Sequence, residues 1–253
     1  MSERLRPELP DEAVALNGRP LSTGDSPRNR AAASIRELVD LLVGRDLPDD
    51  VLSEEARVLL GVVSRLEAAA SPGKRVRSSP DISTHPQDFF PFSPLAGFAN
   101  PLSLPLELWR AVDDDGNEFI RGRAIFPAAF EGPPTCVHGG IISLLFDEVL
   151  GDANLIAGTP GMTGTLNVRY RRPTPLMTPL DIEARQAGVD GRKITTLASI
   201  TVNGEVTAEA EAIFISVPPE QMLRMASANS QNASGDVVDP QLQRAIEENE
   251  ASE

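Results

Sequence analysis

The chain has little of what metal and thiol chemistry require. Its 253 residues include one cysteine and two histidines. A lone Cys136 cannot close an internal disulfide, and a His/Cys zinc site lacks donors. His85 and His138 are far apart in sequence and show no H-E-x-x-H spacing, so only an all-carboxylate metal site stays open. No metal and no cofactor are expected. Positive charge is also scarce, with 23 Lys and Arg against 37 Asp and Glu and a net charge of −14. Affinity for nucleic acid comes from neutralising phosphates, so this balance argues against a nucleic-acid partner. A small anionic ligand stays open, because a local basic cluster can override the mean field. Aromatic residues make up 4% against 41% hydrophobic residues, so the core is aliphatic and alanine-based. No run reaches the roughly 18 apolar residues of a membrane helix, and no membrane span is expected. The opening M-S-E-R-L-R-P-E-L-P carries no apolar signal region, which with the cysteine usage predicts a reducing, cytoplasmic setting. There is no G-x-S-x-G nucleophile elbow, no G-x-x-x-x-G-K-[ST] loop and no G-x-G-x-x-G fingerprint.

What is present has a clear order. Residues 1–30 are polar and rich in Pro, Gly, Ser and Arg, and read as a disordered segment. Residues 31–80 read as two helices and a linker. The first helix spans Ala31–Val43, with Gly44 at its end. The second spans Ser53–Ala70, with Ser53 as its N-cap. Residues 81–217 read as the main domain and 218–253 as a polar acidic tail. Between 81 and 105, prolines forbid regular helix or central strand, while four phenylalanines indicate a segment lying on the protein surface. The pattern then predicts a hairpin, Leu104–Val112 and Glu118–Phe126, turning at Asp115-Gly116. A long helix over Gly139–Ile156 follows. Four strands complete the domain: Gly161–Arg171, Leu180–Ala187, Lys193–Val202 and Glu205–Val217. The helix is apolar on nearly every side, so it should be buried all round. The fold class is therefore α+β, with a curved antiparallel sheet of about six strands wrapped around one long helix and an extra N-terminal helical segment.

The segment T-C-V-H-G-G-I-I-S-L-L-F-D-E-V-L-G, Thr135 to Gly151, carries the chemistry. Gly139 and Gly140 leave bare backbone N–H groups at a helix start, where they can polarise a carbonyl or hold an oxyanion. About two turns on, Asp147 sits on a helix otherwise fit for a core, and a carboxylate there is costly unless something uses it. Glu148 is the rival carboxylate. Neighbouring helix positions point about 100° apart, so only one of the two can face a substrate. Cys136, two residues before His138, is a rival nucleophile, although a small buried thiol is the commoner use. His138 can equally cap the helix or hold the loop. An isolated Asp147 can equally be a buried acid bound to a basic partner.

Taken with G-M-T-G-T-L-N-V-R-Y-R-R-P-T-P and G-V-D-G-R-K, this segment resembles the hotdog-fold acyl-CoA thioesterases of the PaaI-like branch, over roughly Leu104–Val217. The resemblance implies a hydrolase acting on an acyl-CoA, or on an acyl-carrier-protein thioester. It gives Asp147 the role of general base or nucleophile and a backbone N–H of Gly139 or Gly140 the thioester carbonyl. His138 positions substrate or water, and Thr163 orients the attacking water. The site is completed across a dimer interface, which implies a homodimer or a dimer of dimers. Pairing would also help cover a sheet that carries a single long helix. Glu131 is the nearest polar residue at a position where some members carry an amide. The basic residues Arg171, Arg172, Arg192 and Lys193 would form a rim for the CoA phosphates, against the plain reading of surface charge. The Phe-rich stretch 89–98 and the long helix could bound an acyl tunnel. Two other classes stay open on the same fold: a non-catalytic acyl-CoA-binding or sensing protein, and an enoyl-CoA hydratase or dehydratase.

Overall fold

A computed structural model describes residues 26–70, 92–104 and 106–217. The linker after Ser71, the tail after Pro218 and the expected disorder up to residue 25 lie outside the described residues. Residues 26–30 depart from that expectation. Ser26 caps a helix, α1 (Pro27–Gly44), by accepting the Asn29 N–H at 3.1 Å, and Pro27 sits at the first helical position. A proline there has no N–H to lose and its φ is already helical. The helix therefore starts inside a stretch whose composition reads as loop. Helix α2 (Asp49–Ala69) also starts earlier than its Ser53 signature, with Asp49 and Asp50 in the first turn. These acids complement the positive helix end. Ser53 is not the cap; its hydroxyl donates back to the Asp49 carbonyl at 2.7 Å. Helix α1 is held to the body by Arg36, which donates to the Asn100 carbonyl at 2.7 Å and to Ser103 Oγ at 3.1 Å.

The main domain contains six strands and one long helix. These are β1 (Leu106–Val112), β2 (Glu118–Ile125), α3 (Gly139–Ile156), β3 (Gly161–Tyr170), β4 (Pro179–Asp190), β5 (Lys193–Val202) and β6 (Glu205–Ser216). A short 3-10 turn, Ala128–Phe130, leads into the loop before α3. The sheet is antiparallel in the order β1-β2-β4-β5-β6-β3, which leaves β1 and β3 as edges. This is the hotdog architecture that the sequence predicts. The turn chemistry is local. Asn203 and Gly204 take φ of 51° and 81°, the paired positive values of a tight hairpin. Asp113 Oδ1 accepts N–H groups from Asp115 and Asn117 to close the first hairpin.

Strand alternation supplies the core. On β5, Ile194, Thr196, Ala198 and Ile200 turn inward, and on β6 Ala208, Ala210, Ala212 and Phe214 do so. Ile142, Leu145, Phe146, Val149 and Leu150 of α3 pack into the same cluster. Alanines on the inner face leave the volume that a helix of Leu and Phe fills at normal packing density. The helix is not buried all round. Gly140 and Asp147 are exposed and Ser143 is half-buried, so one stripe of α3 is left uncovered.

Gly122 on β2 marks the tightest packing. A methyl group there would lie 2.5 Å from Leu108 Cδ2 and 3.1 Å from the Glu107 carbonyl oxygen. Leu108 is fully buried and cannot swing away. Gly122→Ala is expected to lower stability by about 1–3 kcal/mol, the usual range for overpacking. Urea unfolding with an unchanged m-value checks this.

Candidate active site

The loop before α3 is built around His138. Gly132 passes so close that a Cβ there would sit 2.7 Å from His138 Cα. Thr135 takes a φ of 65°, sparsely populated for a β-branched residue. Glu131 Oε1 holds it by accepting the Thr135 N–H at 2.6 Å. Glu131 is therefore a loop brace. The loop is anchored by His138 N–H to the Phe130 carbonyl and Val137 N–H to the Thr174 carbonyl. His138 is the N-cap of α3, and its Nδ1 accepts the Gly140 N–H at 3.0 Å. A neutral imidazole in that role carries its proton on Nε2. Of the two glycine donors, Gly140 is thus already bonded, while the Gly139 N–H meets no acceptor among the described residues. Cys136 is half-buried and makes an isolated bridge to Pro175.

Asp147 lies on the uncovered stripe and accepts the Thr163 hydroxyl on Oδ1 at 2.7 Å. This contact depends on one extra residue. Thr163 and Thr165 pair with the consecutive residues Phe214 and Ile213, so Gly164 is a bulge. Beyond it, Leu166 and Val168 pack on the core from the helix-facing side. Regular alternation would put Thr163 on the opposite face from these even-numbered residues. The bulge changes the parity and turns Thr163 towards Asp147. The sequence reading missed this device. Its signal is a lone glycine inside a strand pattern, M-T-G-T.

The other acids of α3 turn inward. Glu148 Oε1 accepts the Ser93 hydroxyl at 2.7 Å, so Glu148 is held on the side covered by residues 92–104. Burial raises its pKa above the ordinary carboxylate value, the Ser93 bond opposes this, and the Asp147 charge adds to the rise. Asp152 is buried, and its Oδ2 has no partner among the described residues. Burial, then the nearby Glu148, pushes its pKa well above the ordinary value, so the protonated form is favoured. Asn154 Oδ1 accepts the buried Thr196 hydroxyl at 2.7 Å and ties α3 to β5.

One chain does not bring the candidate groups together. Gly139 and Asp147 stand on the same helix, and eight residues of rise separate them by about 12 Å. A single thioester carbon cannot lie within the roughly 3–3.5 Å that attack requires of both. The four basic residues are divided in the same way. Arg171 and Arg172 follow the end of β3 and pair with Glu209 and Glu205. Arg192 and Lys193 lie at the other end of the sheet, where Lys193 pairs in register with Ile215 and Gly161 with Ser216. The rim expected of these four is not formed within one chain, because the length of β3, about 30 Å, lies between the pairs.

Comparison with known proteins agrees with the fold. No family model matches the chain. A thioesterase superfamily protein of known crystal structure shares 34% identity with it. The match covers 81% of this chain and 96% of that one, with a TM-score of 0.67. The chain belongs to the thioesterase superfamily, with the hotdog fold described above. Among curated relatives, the mouse acyl-coenzyme A thioesterase THEM4 is 34% identical over 95 residues, 37% of this chain and 41% of that protein. The Xenopus laevis protein of the same name is 33% identical over 91 residues, 35% of this chain and 41% of that protein. The chain thus matches about two fifths of the length of these curated relatives.

The buried Asp152 gives a pH test with a definite sign. A carboxyl whose folded pKa is raised binds its proton more tightly when folded. Its favourable contribution is full below the unfolded value and is lost as pH rises through the folded value. Asp152→Asn, which cannot ionise, should therefore gain stability over the parent protein as pH rises from about 4 to 8. Paired melting curves across that range check this; a difference that stays flat or shrinks with pH contradicts a protonated Asp152.

Proposed function

We propose that this protein hydrolyses acyl-CoA thioesters to a free acid and CoA, and that it does so as a homodimer whose two sites are each built from both chains. The observation that carries the reading is the exposed Asp147, held by the Thr163 hydroxyl on a helix whose other acids, Glu148 and Asp152, turn inward. With one oxygen fixed by Thr163, the other is free to take a proton from water. Positioned general bases contribute about 10²–10⁴ in rate. The Gly139 N–H, aimed outward at the positive end of α3, receives the thioester oxygen as it gains charge, worth about 10²–10³ more. Water adds to the carbonyl carbon and gives its proton to Asp147. The tetrahedral intermediate collapses with cleavage of the C–S bond, and the proton passes to the CoA sulfur. His138, with Nδ1 bonded to Gly140, presents an Nε2–H donor beside the reacting groups.

The half-sites dictate the pairing. β3 is an edge strand, and most of its residues are exposed. It offers an open row of backbone donors and acceptors to a second copy. Antiparallel pairing of two β3 edges about a two-fold axis sets the Gly139 end of one chain beside the Asp147 end of the other. The same operation brings Arg171 and Arg172 of one chain towards Arg192 and Lys193 of the other, which restores a basic rim for CoA phosphates.

Hydrolysis of a series of acyl-CoA and acyl-carrier-protein thioesters, with Asp147→Asn as control, tests the activity. The variant should lose about 10²–10⁴ in kcat. Binding without turnover by the parent protein would identify an acyl-CoA sensor, and turnover of enoyl-CoA alone would identify a hydratase. The shared site has its own test. Gly139→Pro removes one N–H at a helix position where proline is tolerated. Equal amounts of Asp147→Asn and Gly139→Pro chains, exchanged into mixed dimers, should regain about a quarter of parent activity, since half the dimers carry one intact site. Mixed dimers as inactive as either variant would exclude a site made from two chains.

A further inference from the structure

The peptide unit between Gly139 and Gly140 is held from both ends. Its N–H donates to His138 Nδ1 at 3.0 Å. Its oxygen accepts the Tyr170 hydroxyl at 2.8 Å. Ser143 Oγ lies 2.8 Å from that same hydroxyl and 3.2 Å from the Gly139 oxygen. With the Tyr170 proton given to Gly139, the single Ser143 proton is shared between the Tyr170 oxygen and the Gly139 oxygen. The Tyr170 ring also lies over Gly139, where a methyl group would stand 3.4 Å from Cζ and from the hydroxyl oxygen. The side chain is 53% exposed, so this position does not serve the core. A carbonyl that accepts a bond polarises its own peptide, which strengthens the N–H bond on the far side. The chain of contacts therefore runs from Ser143 and Tyr170, through the Gly139–Gly140 peptide, to the imidazole of His138.

We propose that Tyr170 is a positioning residue: its hydroxyl and ring fix the Gly139–Gly140 peptide, and the N–H of that peptide sets the tautomer of His138. Tyr170 acts on the reacting atoms through His138. The kinetic part of this proposal rests on the hydrolase reading; the structural part does not. It also explains why the last residue of β3 is an aromatic with a hydroxyl on an exposed edge. A phenylalanine would keep the ring against Gly139 and leave Ser143 as the one side-chain donor to the carbonyl among the described residues. A leucine would remove both.

The test compares the full-length parent with Tyr170→Phe and Ser143→Ala by two readouts. The first is the 15N spectrum of the histidine rings, in which His138→Gln separates His138 from His85. In the parent, Nδ1 of His138 should show the shift of a bare acceptor nitrogen. In Tyr170→Phe the two ring nitrogens should move towards averaged values as the tautomer preference relaxes. The second is steady-state hydrolysis. Tyr170→Phe should lower kcat roughly tenfold, as expected for losing one hydrogen bond, with KM within about twofold and an unchanged melting temperature. Ser143→Ala should move both readouts in the same direction and less. A Tyr170→Phe protein with the parent's ring shifts and parent kcat overturns the proposal. So does a loss confined to KM or matched by a fall in melting temperature. If the ring shifts move as expected but no parent or variant protein hydrolyses a thioester, the positioning role stands and the hydrolase reading fails.

Discussion

Helix α3 rises about 1.5 Å per residue, and that rise keeps Gly139 and Asp147 apart. The separation governs the rest of the site. A helix start supplies a bare N–H only in its first turn. A carboxylate can be exposed only where the sheet leaves the helix uncovered. Both groups lie on that stripe, yet no relaxation of one chain brings them to a common atom. Under the proposed function, chemistry that needs both takes one from each of two copies. The edge strand β3 carries Thr163 near one end, against Asp147, and Tyr170 at the other, against Gly139. Each end of α3 is therefore tied to the same open strand edge.

A core helix with three acids in six positions needs a distinct arrangement for each. Asp147 keeps its exposure and takes a hydroxyl donor from β3. Glu148, one position on, finds Ser93 on the segment that covers the other flank. Asp152 finds no partner for Oδ2 among the described residues, and burial pushes its pKa well above the ordinary value. This distribution limits the charge along the helix. If Glu148 and Asp152 were both ionised beside Asp147, their repulsion would act across a poorly screening interior. A neutral Asp152 removes part of it. The acids that look redundant in the sequence thus differ in burial and in hydrogen-bond partner.

The fold was largely legible because its signals are local. Gly139–Ile156 and Lys193–Val202 occupy the spans that periodicity predicts, and the Asn203-Gly204 turn follows from the residues that tolerate positive φ. The misplaced helix starts have a common cause. At Pro27 and Asp49, proline and acids are good first-turn residues as well as loop formers, and composition cannot separate the two uses. At the site, Asp147, His138 and the glycines are marked by residue type and order, and Thr163 by the family resemblance. Three things are not. The Gly164 bulge inverts strand parity, which a period-two reading assumes constant. The use of the Gly140 N–H by His138 depends on a rotamer. The separation of Arg171 and Arg172 from Arg192 and Lys193 depends on strand pairing between residues distant in sequence.

Charge on the β3 edge also bears on pairing. Two chains each carrying −14 repel at long range, and an acidic edge would add contact repulsion. The edge is not acidic. Arg169 and Arg171 both reach Glu209, and Arg172 reaches Glu205. The guanidiniums on and just after β3 therefore outnumber the carboxylates they meet. These pairs are exposed and add little to the stability of one chain. Their weight lies in the local balance of charge, three guanidiniums against two carboxylates beside an open strand edge. The partners of Arg171 and Arg172 can be exchanged without exposing a buried charge, so under the proposed function the same guanidiniums are available both to Glu205 and Glu209 and to phosphate oxygens.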